Sequence, residues 1–507
     1  MMTGALLVAL VGASADRVTL EAARTKAVRV RYESHYASRM APLLTEALRF
    51  PTVRGNVAAR DGQQAWLRRV AGELGLVVRD AGLVTEIELP GPAGAPVLGL
   101  VVHGDVQPVV EAEWAHPPFA GIEKNGVVFG RGAADDKGPM VQALLALAAL
   151  KDVGPARTHT LRLLVGSDEE SDNLDIATYL KDHAAPDLSL VLDSAFPVVV
   201  GEKAWNALTL EAADPYTVRA GAKGPWAVTS LSAGLAASIV PARAVATLEW
   251  RGEPGKLAAA AASLRRAPVD SLAIEVTVEG TRAMVTAIGR AAHSGVNIEG
   301  GRNALVFLAR ALDGQLQPSG AADLLAFAAQ AGQDIYGTGL GILDDDPLWG
   351  RYAVNVATVR PVEGGIALTT NLRRVPPRTG PDLQAFLDRY LAEWNAAHGS
   401  RLVSRGSFWG DEPLVFDPHG KLVKRLLADY ERATGVREKP AISGGGTYAK
   451  RLPNAIAFGM WFPGKPYPGH DTDEQITVAD LHKGVDVLIE ALVDLACGAP
   501  LVEAFKP

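Results

Sequence analysis

Cysteine is almost absent from this chain. Cys497 is the only one among 507 residues, which excludes a disulfide framework and any zinc site built on thiolates. A metal would have to be held by His, Asp and Glu. No block of Lys or Arg occurs, and the net charge of −7 is spread along the sequence, which argues against nucleic acid as a partner. No stretch approaches the roughly 18 apolar residues that span a bilayer, so the mature protein is expected to be soluble, with no membrane partner. Internal repeats and low-complexity tracts are missing too. What is present, 48% hydrophobic and 21% charged residues, is the balance of a folded globular chain. Its length predicts roughly two to four domains.

The N-terminus "MMTGALLVALVGASADRVTL" carries an apolar run from Ala5 to Val11, followed by Ala13-Ser14-Ala15. That small-x-small pattern predicts a signal peptide over residues 1–15, cleaved before Asp16, and a periplasmic or secreted protein. The run is short and lacks the usual positive residues ahead of it. A cytoplasmic protein with an ordinary buried first helix or strand is the alternative.

Short apolar runs without polar alternation, "VLGLVV" (97–102), "TLRLLV" (160–165), "LSLVLD" (188–193) and "NAIAFG" (454–459), read as buried strands. Helical patterns such as "KGPMVQALLALAALKDV" (137–153) lie between them. The combination predicts an α/β fold, a mostly parallel sheet flanked by helices. From about residue 206 the texture changes to alternating strands, "ALTLEAA", "ARAVATLEW", "LAIEVTVEG", "RAMVTAIGR" and "LTTNLRRV", with helices at "ALVFLARAL" and "DLLAFAAQAG". An α+β module is therefore expected over 206–407, inserted between the two parts, 16–205 and 408–507, of the first domain. The final helix has Thr477 as its N-cap, with Asp480 at the third helical position.

Function in open α/β sheets gathers at the carboxyl ends of strands. Here those ends are rich in potential metal ligands: His103 and Asp105, then Asp135 and Asp136 before a helix, Glu169 and Glu170, Asp193, and His470. Any one of them has an ordinary explanation as a helix cap or a hydrogen-bonded structural acid. The case rests on their convergence. Two imidazoles and several carboxylates, without thiolates, suit zinc, or manganese or cobalt in a mixed N/O site. Such a cation would offset the crowding in "LLVGSDEESDNLD", where five carboxylates fall within residues 167–175. His103 and Asp105 point to the same side of a strand, so the Asp105 carboxylate is expected to accept the second N–H of His103 and orient the ring.

The order H-x-D, G-R-G-x-x-D-D-K-G, D-E-E, L-D-S-x-F-P and a late H-D-x-D-E resembles the co-catalytic zinc exopeptidase family. That family includes carnosinases, Xaa-His dipeptidases, glutamate carboxypeptidases and succinyl-diaminopimelate desuccinylases. The stretches "YGTGLGI" and "SGGGTYAKRLPNAIAFG", with the long insert, look most like its bacterial dipeptidase and carnosinase branch.

The resemblance implies two Zn2+ ions per chain, with Mn2+ or Co2+ as alternatives. Asp135 would bridge both ions, His103 and Asp193 would complete one, and Glu170 and His470 the other. Glu169 matches the general base, which takes the second proton of a water activated by the cations and delivers it to the leaving amine. The peptide bond between the paired aspartates is often cis in this family. His293 in "GRAAHSGVNIEGGRNA" matches the insert-domain histidine that stabilises the carbonyl oxygen. Arg373 in "TTNLRRVP" matches an arginine that contacts the substrate carboxylate or the tetrahedral centre. Gly445, Gly446 and Thr447 offer backbone N–H groups suited to a terminal carboxylate, a plain glycine-rich turn being the competing reading.

Two positions depart from the family pattern. Ser238 stands in "AASIVP" where relatives carry an asparagine that reaches the carbonyl oxygen, and Ala204 in "GEKAWNAL" stands where glycine is usual. Both bear on substrate choice and turnover rather than on metal binding. Three readings follow: an exopeptidase acting on dipeptides or very short peptides, an N-acyl-amino-acid amidohydrolase using the same site, and an idle metal-binding protein. An intact Glu169 argues against the third. The insert is long enough either for a homodimer through the lid, in which a neighbour lends its histidine, or for a lid completed within one chain.

Overall fold

The computed structural model describes residues 2–220, 224–265, 273–405 and 409–498. They divide into two compact units. The first comprises residues 1–200, 415–441 and 447–507, and the second 201–414 together with 442–446. The insertion expected over 206–407 thus runs from 201 to 414, and a short return segment carrying the glycines of "SGGG" joins it.

In the first unit the chain begins with helices α1 (Met2–His35), α2 (Met40–Leu48) and α3 (Val57–Glu73). Strands β1 (Val77–Ala81), β2 (Val84–Leu89) and β3 (Val97–His103) follow. Then come β4 (Ile122–Lys124), β5 (Val127–Phe129), α4 (Lys137–Val153), β6 (Thr160–Gly166), α5 (Leu174–Asp182) and β7 (Leu188–Val191). The main sheet runs β1-β2-β6-β3-β7 and continues through Ala455–Ala457 to Val199–Glu202. It is parallel at its centre, where β3 lies between β6 and β7 and β7 pairs with Ala455–Ala457. Its flanks are antiparallel.

The central strands are apolar because both sheet faces are covered. In α4 every residue from Lys137 to Leu150 is buried, which is why its apolar residues occupy more than one face. Gly154, at φ 62°, ends that helix with its N–H on the Leu150 carbonyl, a left-handed cap that glycine adopts without strain. Thr477 caps Val478–Cys497 as expected, its hydroxyl accepting the Asp480 N–H at 3.0 Å. Register places the chemistry: His103 pairs with Gly166 and Val101 with Val191, so the loops leaving β3, β6 and β7 start side by side.

The second unit is α+β. Strands Ala273–Glu279, Arg282–Ile288, Arg243–Trp250, Trp226–Ala233, Ala353–Val362, Gly365–Arg374 and Ala204–Ala213 form an antiparallel sheet in that order. Burial alternates along Ala204–Ala213, so one face packs on the core, which includes Leu305, Leu324, Phe327, Leu383 and Leu387 from the helices. No described helix is long and apolar enough to cross a membrane.

Candidate functional site

The site in the first unit starts at the end of β3. His103 is fully buried, and its Nδ1 lies 3.0 Å from the main-chain oxygen of Asp105, while the Asp105 carboxylate stands 3.6 Å away. The expected carboxylate-to-imidazole bond is therefore corrected to a carbonyl-to-imidazole bond. A carbonyl can only accept, so Nδ1 carries the proton and Nε2 is left to ligate. The Asp105 carboxylate instead accepts the N–H groups of Glu169 at 3.2 Å and Glu170 at 2.9 Å. It holds the acidic turn while staying within ion-pair distance of the ring.

Two groups of possible ligands share Asp135: His103, Asp135 and Asp193 form one, and Asp135, Glu170 and His470 the other. Within each group the ligand atoms lie within 4.8 Å of one another. His103 Nε2 is 2.9 Å from Asp135 Oδ1 and 3.8 Å from Asp193 Oδ2. His470 Nε2 is 3.2 Å from Asp135 Oδ2 and 3.0 Å from Glu170 Oε1. Each Asp135 oxygen thus faces a different imidazole. Two nitrogens and three carboxylates at this spacing are a donor set that fits divalent zinc, manganese or cobalt.

Electrostatics support that fit. Burial would raise the Asp135 pKa, but its contacts with His103 and His470 outweigh burial and hold it well below the usual carboxylate range. Burial raises Asp193 well above that range, and Asp135 adds to the rise. Burial opposes charge on His470, yet Glu170 and Asp135 lift its pKa to about 10. Protons on the imidazoles therefore supply the counter-charge that bound cations would replace. Glu169 belongs to neither ligand group. Burial first, then Asp193, raises its carboxyl well above the ordinary value.

Asp135 is itself held by residues that the motif reading left without roles. The Asp135–Asp136 peptide bond is cis. Glu474, fully buried, accepts the Arg131 guanidinium at 2.8 Å and the N–H groups of Gly132, Ala134 and Asp135 at 3.1, 2.8 and 3.1 Å. Tyr467 donates its hydroxyl to Asp135 Oδ2 at 2.6 Å, and Gln107 donates to Glu170 Oε2 at 2.8 Å. Arg131 lies beneath the Trp114 ring, 5.2 Å from its centroid. Arg131 and Glu474 had a signal in sequence, as the arginine of "GRGAADDKG" and the last acid of "HDTDE".

In the second unit, His293 Nδ1 accepts the N–H groups of Gly295 at 3.0 Å and Val296 at 2.9 Å. Two donors on Nδ1 fix the neutral tautomer, with its proton on Nε2. Asn297 accepts the His293 N–H at 2.6 Å, and the Ser238 carbonyl accepts that of Ser294 at 2.8 Å. Ser238 is thereby brought beside the histidine loop. Arg373, 3% exposed, donates Nε to Asn371 at 3.0 Å and contacts Ser294 Oγ at 3.5 Å.

The glycine loop is more occupied than expected. The Gly445 N–H goes to Ser443 Oγ at 3.0 Å, and the Thr447 hydroxyl caps the short helix Tyr448–Lys450 by accepting the Ala449 N–H at 3.1 Å. The expectation of open N–H donors is corrected at Gly445. A Cβ on Gly444 would fall 1.7 Å from the Gly295 oxygen, so this loop and the His293 loop touch backbone to backbone. Ala204 pairs with Arg374 in the sheet, and its fully buried position has room for a methyl group.

Residues 99–494 match the family described as Peptidase family M20/M25/M40, and the chain belongs to that family. It is therefore a hydrolase of metallopeptidase type. The Beta-Ala-Xaa dipeptidase of Lactobacillus delbrueckii subsp. lactis is 29% identical over 408 residues, covering 80% of this chain and 83% of that protein. Human carnosine dipeptidase 1 shares the fold with a TM-score of 0.58 at 12% identity, over 92% of this chain and 98% of that one. A di-peptidase from Saccharomyces cerevisiae gives 0.57 at 15% identity, with the same two coverages of 92% and 98%.

Because the pKa of His470 is raised to about 10, its ring is protonated at neutral pH in the metal-free protein. Ligation needs that proton gone, so metal binding should release protons and weaken as pH falls. Calorimetric titration with zinc at pH 7, in buffers of differing ionisation enthalpy, should show a buffer-dependent heat. A heat independent of buffer would contradict this protonation state.

Proposed function

We propose that the protein is a two-metal dipeptidase, cleaving dipeptides or very short peptides. The observation that carries the reading is the pair of ligand groups sharing Asp135, with Glu169 beside them in neither group. His103 and Asp193 would hold one ion with Asp135, and Glu170 and His470 the other. Bound divalent cations supply Lewis acidity and lower the pKa of water to near neutrality.

The chain's own groups do the rest. Glu169, its proton affinity raised by burial and Asp193, takes a proton from water on its carboxylate and returns it to the leaving amine. The neutral His293 ring carries its proton on Nε2, the donor type that a developing oxyanion needs. Arg373 is the cation proposed to meet the substrate carboxylate. The Beta-Ala-Xaa dipeptidase relative supports dipeptides over N-acyl-amino acids as substrates.

We also propose export, with cleavage before Asp16. Thr25 is the first buried side chain described in α1, followed by Val28 and Tyr32, so such cleavage keeps these three buried residues in the mature chain.

Three measurements test these readings. Glu169→Gln should abolish turnover while the metal content stays at the wild-type level, and retained turnover would remove it as base. In the same assays wild-type enzyme should cleave dipeptides faster than N-acyl-amino acids, the reverse order favouring an amidohydrolase. Mass spectrometry of the protein recovered outside the cytoplasm should show a start near Asp16, and an intact Met1 would contradict export.

A further inference from the structure

The turn that carries both glutamates is held from below. Asp105 captures the N–H groups of Glu169 and Glu170. The two preceding N–H groups, of Ser167 and Asp168, go to Asp175 Oδ2 at 2.7 and 2.9 Å. Four successive main-chain donors thus end on two buried carboxylates from different elements.

Asp175 lies in the first turn of α5 and is 1% exposed. A helix-capping acid bonds N–H groups of its own helix. One Asp175 oxygen does this, accepting the Ile176 N–H at 2.6 Å, while the other reaches back out of the helix. That second oxygen also accepts the hydroxyl of Tyr448, which is fully buried. Burial raises the Asp175 carboxyl, and the Tyr448 bond opposes the rise. Gly166 closes the arrangement. A Cβ there would fall 2.0 Å from the Tyr448 oxygen and 2.5 Å from Asp175 Oδ2, so an L side chain fits only if that bond is displaced.

We propose that Asp175 and Tyr448 are positioning residues for hydrolysis: hydrogen-bonded to each other beside Gly166, they fix the turn that sets Glu169 next to the ligand cluster. This rests on the reading of Glu169 as the base. Neither residue belongs to the ligand groups, so the bond acts through the backbone of 167–170. A base displaced by even a fraction of an ångström loses rate without losing substrate affinity.

The test uses full-length, metal-loaded enzyme carrying Tyr448→Phe, which removes one oxygen and keeps the ring, with Asp175→Asn as the second variant. Tyr448→Phe should lower kcat about ten- to a hundredfold while KM and metal content hold. Amide hydrogen exchange of the peptide covering residues 163–175 should quicken. In a Glu169→Asp background, where the base is already displaced, the same change should cost much less, because both act on one group. Wild-type kcat in Tyr448→Phe beside an inactive Glu169→Gln would overturn the positioning role alone. So would a loss of metal with a raised KM, or a fully additive loss in the Glu169→Asp background. Turnover retained by Glu169→Gln would remove the base reading and this proposal with it.

Discussion

The structure depends on one shared carboxylate. Asp135 presents one oxygen to His103 and the other to His470, residues that come from opposite ends of the chain. Around it stand Asp193, Glu169 and Glu170, whose mutual repulsion in an enclosed site is too costly without positive charge. Burial and neighbouring acids raise Asp193 and Glu169, whereas the imidazoles win at Asp135 and hold it down. That split separates the acid suited to bridging cations from the acid suited to moving a proton.

Several acids around this centre bind main-chain N–H groups. Asp105 and Asp175 hold the turn after β6, and Glu474 holds the turn before α4. Ligand placement in this family member is therefore a matter of backbone capture as much as of side-chain packing. These acids spend their oxygens on main-chain N–H groups and belong to neither ligand group, so they add rigidity around the metal ligands. His470, at φ 65°, shows the same priority: a conformation unfavourable for a residue with a Cβ is kept where a ligand must be aimed.

Much of this was legible in the residues. Strands β3 and β6 and helix α4 appear where unbroken apolar runs put them, since burial on both sides leaves a clear signature. The five ligand candidates converge because function in such sheets collects at strand ends. Partner choice was not legible. From spacing alone Asp105 was bound to face His103, because residues two apart in a strand share a side, but the strand ends at His103 and the carboxylate turns to the next loop. Tyr448 and Tyr467 were silent, since each acts on a residue hundreds of positions away. Asp175 sits where an acid is favourable at any helix start, which accounts for only one of its two oxygens.

The most direct test is a metal count on variants of the shared residue and of one residue from a single group. Wild-type protein reconstituted with zinc and examined by elemental mass spectrometry should hold two ions per chain. Asp193→Asn should hold about one, and Asp135→Asn, which weakens both groups at once, fewer than one. If Asp135→Asn keeps both ions, the shared carboxylate is not the constraint on which the site is built.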